Sequence, residues 1–234
     1  AVGDARTVID VLAALKMNWI AFQIDNRLQY TTDPDLGREG APSKGELASL
    51  ARHAEEYEME VIPMTQCWSH FSYFLSKSKY RHLAEIQAPA EDARWKYWNY
   101  CPRHPDTHTM LFAMIEEQLE CFPNARYFHA GLDEITFEPI GVCERCRDAG
   151  GGELLAEEVN RLHAFLAEKG LRMCMWGDQL LVEHNGGPPH NTAEALPDIP
   201  RDVVMYDWHY GPAGEFPSVR FFCLIGFDVV GSGW

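Results

Sequence analysis

The order of elements predicts an α/β fold, a parallel sheet covered by helices, and within that class a (β/α) barrel. Three observations carry this. Six apolar runs of strand length alternate with helical segments along the 234 residues, the order that builds βαβ units. No GxGxxG or GxxxxGK(S/T) loop follows a strand, which removes the best support for a nucleotide-binding open sheet. Nearly every strand ends on polar or aromatic groups: Asp25 and Asn26; Gln66, Trp68 and His70; Asp133 and Glu134; Trp176 and Asp178; Tyr206, Asp207 and Trp208; Trp234. Barrel enzymes gather their sites from such strand ends.

The elements follow in turn. "TVIDVLAALK" has a helical period and "WIAFQID" is an apolar run of strand length. "SKGELASLARHAEEYE" opens on Ser43 and Glu46 at capping-box spacing. "MEVIPMTQCW" is the next strand, "YFLSKSKYRHLAEI" is expected to be helical, and "PAEDARWKYWNYCPRHP" a loop. "DTHTMLFAMIEEQLECF" is a helix starting at Asp106, followed by the strand "ARYFHAGLDE". "GGELLAEEVNRLHAFLAEKG" is a helix stopped by Gly170. The strand "LRMCMWGDQLL" leads into a loop running to about Ile199. "DVVMYDWHY" is a strand, "SVRFFCLIG" a short helix, and "FDVVGSGW" the sixth strand. A complete TIM barrel has eight strands. The expectation is therefore one partial (β/α)8 domain over residues 1–234 without its first and last strands.

Composition narrows the partners. A formal charge of −15 argues against nucleic acid or an anionic membrane surface. No apolar run approaches the length that spans a bilayer. Seven scattered cysteines, an odd number, read as reduced intracellular thiols, so the expected compartment is cytoplasmic. Cys143 and Cys146 in "GVCERC" are half of a zinc site. No second pair exists, although Cys101 or a histidine could contribute from afar. The expectation is a plain loop pair, ahead of zinc and then of a redox pair, with no metal and no cofactor.

The chemistry centres on "YFHAGLDEITF". Carboxylates that straddle a sugar stand roughly 5–9.5 Å apart, whereas neighbouring Cα atoms are about 3.8 Å apart. Asp133 and Glu134 are thus poorly placed for a two-sided mechanism. They suit one in which the substrate's own 2-acetamido oxygen is the nucleophile. By itself the dipeptide is more often the cap of a helical turn, with Asp133 as the cap and Glu134 solvated.

Its surroundings decide for a site. "HAGLDE" resembles the His-x-Gly-Gly-Asp-Glu signature of glycoside hydrolase family 20, the β-N-acetylhexosaminidases. "EVIPMTQCWSHFSYFL…YRHLAEI", "KMNWIAFQIDNRLQY", "MWGD" and "YDWHY" are similar to segments of the family's hexosaminidase D-like branch, in the family's order. The resemblance implies a glycosidase acting on terminal β-linked N-acetylglucosamine or N-acetylgalactosamine. It implies Glu134 as general acid and then base, which must carry a proton when substrate binds. It implies Asp133 as the ionised partner of the acetamido group. His70 resembles the histidine that supports the acid, with Asp25 as its partner and Asn26 as rival for that part. Trp176, Trp208 and Trp234 resemble the pocket walls, and Tyr206, with Tyr210 as rival, the hydroxyl that binds the acetamido oxygen. Asp178 and Asp207 bind sugar hydroxyls or orient loops. His129 is either a support for Asp133 or a satisfied core histidine.

Three departures stand against the family pattern. Leu132 replaces the second glycine of the motif, Ser69 replaces the glycine before the histidine, and the strand carrying a sugar-gripping arginine is absent. Two other readings stay open: a carbohydrate-binding pseudoenzyme, and a metal-dependent hydrolase using His70, His129 and Asp133.

Overall fold

The computed structural model describes residues 2–233; Trp234, expected to wall the sugar pocket, lies outside the described residues. Among them, helix and strand alternate in the expected order: α1 (Val2–Ala14), β1 (Trp19–Gln23), α2 (Lys44–Glu55), β2 (Glu60–Cys67), α3 (Ser72–Leu75), α4 (Pro105–Leu119), β3 (Tyr127–Gly131), α5 (Gly151–Glu168), β4 (Arg172–Trp176), β5 (Val204–His209), α6 (Pro217–Leu224) and β6 (Asp228–Gly233). The strands make one sheet in the order β1-β2-β3-β4-β5-β6, with parallel ladders between β1 and β2, β4 and β5, and β5 and β6. A doubly wound sheet reverses its strand order at a switch point. Here every crossover steps the same way, as in the winding of a barrel. The outer strands are partly exposed, whereas β2 is buried at every residue after Glu60.

The chain forms two compact units, Ala1–Thr65 with Thr109–His129, and Gln66–His108 with Ala130–Trp234. In the first, α2 starts on the expected capping box, with Ser43 and Glu46 each satisfying the other's backbone N–H. The long loop after β1 is tied to α4. Glu117 accepts from the backbone and hydroxyls of Thr31 and Thr32 and pairs with Lys44 at 2.9 Å. Burial would raise the Glu117 carboxyl, but these donors outweigh it and hold it down to about 2. Deeper in, Thr65 donates to Gln118 at 2.6 Å, and Gln118 donates to the Tyr30 hydroxyl at 2.5 Å.

In the second unit the fully buried Glu158 of α5 accepts from Tyr100 at 2.6 Å and meets His108 at 2.8 Å. Two expectations need correction here. The single helix expected over Tyr73–Ile86 is broken into α3 and a 3-10 turn at Arg81–Leu83. The intervening Ser76–Lys79 run has no apolar residue to hold a helical face inside. The loop expected up to Ile199 contains helical turns at Asp178–Leu180, Val182–Gly186 and Thr192–Asp198. Ala195 and Thr192 are buried there and Gly152 of α5 sits close against Glu194, so the last of these turns packs on α5.

Gly131, which ends β3, has φ +69°, and a Cβ there would meet the Gln66 side chain at 1.8 Å and its Cα at 2.9 Å. The side chain can move and the Cα cannot. Gly131→Ala is expected to destabilise the protein by on the order of 2–3 kcal/mol in urea unfolding. An unchanged midpoint would show that the close approach is not required.

Candidate active site

The tip of β3 does not continue as a strand. Gly131, Leu132 and Glu134 have φ of 69°, 71° and 52°, and Ile135–Phe137 forms a 3-10 turn. Successive side chains of a strand point to opposite faces, so an extended backbone would separate Asp133 from Glu134. The left-handed residues break that alternation. Both carboxylates now reach one imidazole: His70 Nε2 lies 3.5 Å from Asp133 Oδ2 and 3.4 Å from Glu134 Oε2. His70 and Trp68 are themselves left-handed, at φ 61° and 65°, where the chain leaves β2.

At 3.4–3.5 Å these are charge contacts rather than well-formed hydrogen bonds. Burial by itself would lower the His70 pKa. The two carboxylates outweigh it and push the imidazolium up to about 9. The ring also packs on Trp98, centroids 4.2 Å apart, which suits a cation against an aromatic face.

The turn is held by its neighbours. Ser69 Oγ donates to the Asp133 carbonyl at 2.5 Å, so the serine that replaces the family glycine ties the two strand ends together. Trp98 Nε1 donates to the Glu134 carbonyl at 3.0 Å. The Glu134 N–H donates to Asp178 Oδ2 at 3.0 Å, an oxygen that also accepts from Asn185 at 2.8 Å and Gln179 at 3.1 Å. Burial first, and the charge of Asp133 second, push the Asp178 carboxyl up to about 7. Asp178 thus holds the backbone of the Asp133–Glu134 turn.

The aromatic residues stand in the same unit. Trp176 and Tyr206 meet edge to face at 5.8 Å. Trp208 is half-buried between His184 and Tyr210, at 4.1 and 4.7 Å. Tyr206 is buried and Tyr210 is exposed; loss of solvation first, and the charges of Glu134, Asp133 and Asp178 after it, raise the Tyr210 hydroxyl. Asp207 Oδ2 accepts from Ser218 at 2.7 Å and contacts His209 at 3.1 Å, a loop-orienting network. A cavity of about 810 Å³, lined by Leu180, Val182, His184, His209 and Phe221 among others, borders this network and not the Asp133–Glu134 pair. Two residues belong to the other unit. Asp25 is buried with φ 45° and its Oδ2 accepts from Gln23 at 2.7 Å and Arg27 at 3.1 Å. His129 is buried within β3.

Sequence reasoning missed Trp98, Asn99 and Glu138. Glu138 Oε2 accepts from the backbone N–H groups of Trp98 and Asn99 at 3.1 and 3.0 Å, and Asn99 donates to the Ile135 carbonyl at 2.8 Å. The signal was present in "RWKYWNYC", whose aromatic density is too high for a solvated loop.

A model described as glycosyl hydrolase family 20, catalytic domain, matches residues 2–211. The chain belongs to glycosyl hydrolase family 20. Among family members, it is 28% identical over 139 residues to hexosaminidase D of Bos taurus, a match spanning 59% of this chain and 38% of that protein. Hexosaminidase D of Homo sapiens is 26% identical over 140 residues, spanning 59% of this chain and 27% of the relative. The chain thus spans less than half the length of either. Among solved structures, Flavobacterium johnsoniae chitobiase superposes with a TM-score of 0.79 at 20% identity, over 100% of this chain and 36% of that one. The Vibrio harveyi exo-β-N-acetylglucosaminidase in complex with N-acetylglucosamine gives 0.74 at 19% identity, over 99% and 38%. These likenesses show the shared family fold.

The His70 charge has a pH signature. Its pKa is raised from an ordinary 6.5, so the stability it contributes is present below that pH and is lost as pH rises through about 9. Between about pH 6 and about pH 9.5, the protein is expected to lose on the order of 2 kcal/mol more than His70→Gln does. Parallel urea titrations check this, and superimposable pH profiles would refute the coupling.

Proposed function

We propose that this protein is a retaining exo-β-N-acetylhexosaminidase that hydrolyses terminal β-linked N-acetylglucosamine or N-acetylgalactosamine by substrate-assisted catalysis. The reading takes residues 1–234 as a single partial domain of an eight-stranded (β/α) barrel. The observation that carries it is the meeting of Asp133, Glu134 and His70 at the end of β3.

In this reading Glu134 protonates the glycosidic oxygen while the acetamido carbonyl oxygen attacks C1 from the opposite face. The bond to the aglycone breaks and a cyclic oxazolinium forms. Asp133, ionised, accepts from the acetamido N–H and stabilises the positive charge that develops there. Glu134, now a carboxylate, takes a proton from water as the water oxygen attacks C1 and reopens the ring. Two inversions at C1 give net retention. His70 keeps the two carboxylates together, and Asp178 fixes the Glu134 backbone. Trp176 and Trp208 wall the sugar. Tyr206 binds the acetamido oxygen. Asp207 orients loops, and Asp25 and His129 have supporting parts.

Leu132 favours the pseudoenzyme reading, because a leucine stands where the family has glycine. It nevertheless adopts φ 71°, the backbone region open to glycine.

Glu134→Gln is expected to lower kcat on an aryl N-acetyl-β-hexosaminide by roughly 10²–10⁴-fold in the intact protein, with its circular dichroism unchanged. Activity untouched by this change would refute the role. Azide should rescue Asp133→Ala poorly, since the nucleophile belongs to the substrate.

A β-glucoside lacking the acetamido group is expected to be turned over at under about a hundredth of the rate. Equal turnover would instead favour a water-attacking or metal-assisted hydrolase. Tight binding of an N-acetylglucosamine thiazoline with no turnover of any hexosaminide would identify a pseudoenzyme.

A further inference from the structure

The "GVCERC" pair does not stand by itself. Glu85, Cys101, Cys143 and Cys146 come together from three separate stretches of the second unit, with one donor atom from each lying within 4.8 Å of all the others. Cys101 Sγ is 3.4 Å from Cys143 Sγ and 3.6 Å from Cys146 Sγ. A tetrahedron with zinc–sulfur arms of about 2.3 Å places its sulfurs roughly 3.8 Å apart, and these two separations fall within tenths of an ångström of that edge. Glu85, Cys101 and Cys146 are buried.

The backbone builds the arrangement. An antiparallel bridge between Ala84 and Tyr100 sets Glu85 beside Cys101, with the Glu85 N–H donating to the Asn99 carbonyl at 3.0 Å. Cys143 and Cys146 flank a tight turn, closed by the Cys146 N–H to the Cys143 carbonyl at 3.0 Å. Glu85 Oε1 accepts from the N–H groups of Val142 and Cys143 at 2.8 and 3.0 Å. Its other oxygen, Oε2, is buried with no hydrogen-bond partner, on a residue 96% removed from solvent (4% exposed). A buried carboxylate oxygen without a partner is costly, and a cation among the thiolates would satisfy it.

We propose that Glu85, Cys101, Cys143 and Cys146 form a structural zinc site. Three sulfurs and one carboxylate oxygen suit a borderline-soft, tetrahedral ion. The set lacks the fourth cysteine usual for an iron–sulfur cluster, and the hard oxygen cage of calcium or magnesium is absent from it. All four positions are filled by protein, which makes the site closed and structural rather than catalytic. Binding displaces the thiol protons to solvent as the sulfurs become thiolates. A disulfide is the chief rival, but joining two of the sulfurs would leave the third thiol and Glu85 Oε2 unexplained.

The site has a purpose in this fold. It pins the stretch from Glu85 to Cys101 to the one that follows the catalytic turn. The first stretch carries Trp98 and Asn99, which donate to the carbonyls of Glu134 and Ile135. Zinc would therefore brace the frame around Asp133 and Glu134 without touching substrate.

The test is the metal content of the intact protein, measured by elemental mass spectrometry after purification without chelator. About one zinc per chain is expected, released by a mercurial that modifies thiols. Cys143→Ser and Cys146→Ser should lose it, Glu85→Gln should bind zinc at least about tenfold more weakly, and Cys223→Ser, at an exposed cysteine outside the cluster, should keep it. Should the serine variants fail to fold, X-ray absorption on the unaltered protein decides, with three sulfurs at about 2.3 Å and one oxygen at about 2.0–2.2 Å expected. Substoichiometric metal even after zinc addition, a shell without sulfur, or a mapped disulfide at Cys101 would overturn the proposal. None of these readouts depends on glycosidase activity.

Discussion

Adjacent carboxylates can face one imidazole only where the backbone between them leaves the extended strand, and the site is organised around that requirement. Gly131, Leu132 and Glu134 all take left-handed conformations at the end of β3. For leucine and glutamate this costs roughly 1–2 kcal/mol each. The surroundings offset it. Leu132 is fully buried, and burying a leucine contributes about 1.5–3 kcal/mol. Ser69 and Trp98 take the carbonyls of Asp133 and Glu134, and Asp178 takes the Glu134 N–H. Leu132 thus supplies anchoring that glycine could not, while accepting a backbone that glycine would adopt more easily.

Charge follows from the same geometry. Two carboxylates converge on a partly buried site with a third, Asp178, beneath them. Like charges at such distances in a low dielectric cannot all persist unpaired. His70 answers by holding its proton up to about pH 9, and Asp178 by holding its own up to about 7. Near neutral pH His70 is therefore an imidazolium beside the Asp133–Glu134 turn. The Trp98 face shields that cation from water, and Glu138 in turn holds Trp98 in place through its backbone.

Much of this was legible in the sequence, for identifiable reasons. Strand ends could be read because apolar runs stop where polar residues begin, so His70, Asp133, Glu134, Trp176 and Tyr206 were all named from position and motif. The Ser43–Glu46 capping box was readable because it is local. What escaped depended on long-range contact. The stretch containing Trp98 and Asn99 has no period and was read as a loop; only its hydrogen bonds to Glu138 and the Asp133–Glu134 turn give it a structural role. Leu132 looked like a damaged motif because a sequence carries no φ. The helix expected over Tyr73–Ile86 broke for lack of an apolar face across its Ser-Lys run.

The sequence by itself determined the class of fold, the order of the strands, the family and the pair of carboxylates. Each of these is written in local periodicity or in a contiguous motif. Only the tertiary structure decided which groups meet: His70 between the two carboxylates, Asp178 under the backbone of Glu134 rather than reaching outward, and Glu85 beside three cysteines scattered over 46 residues of chain from Cys101 to Cys146. Periodicity reports which face of an element turns inward, and it carries no information about the side chain it will find there.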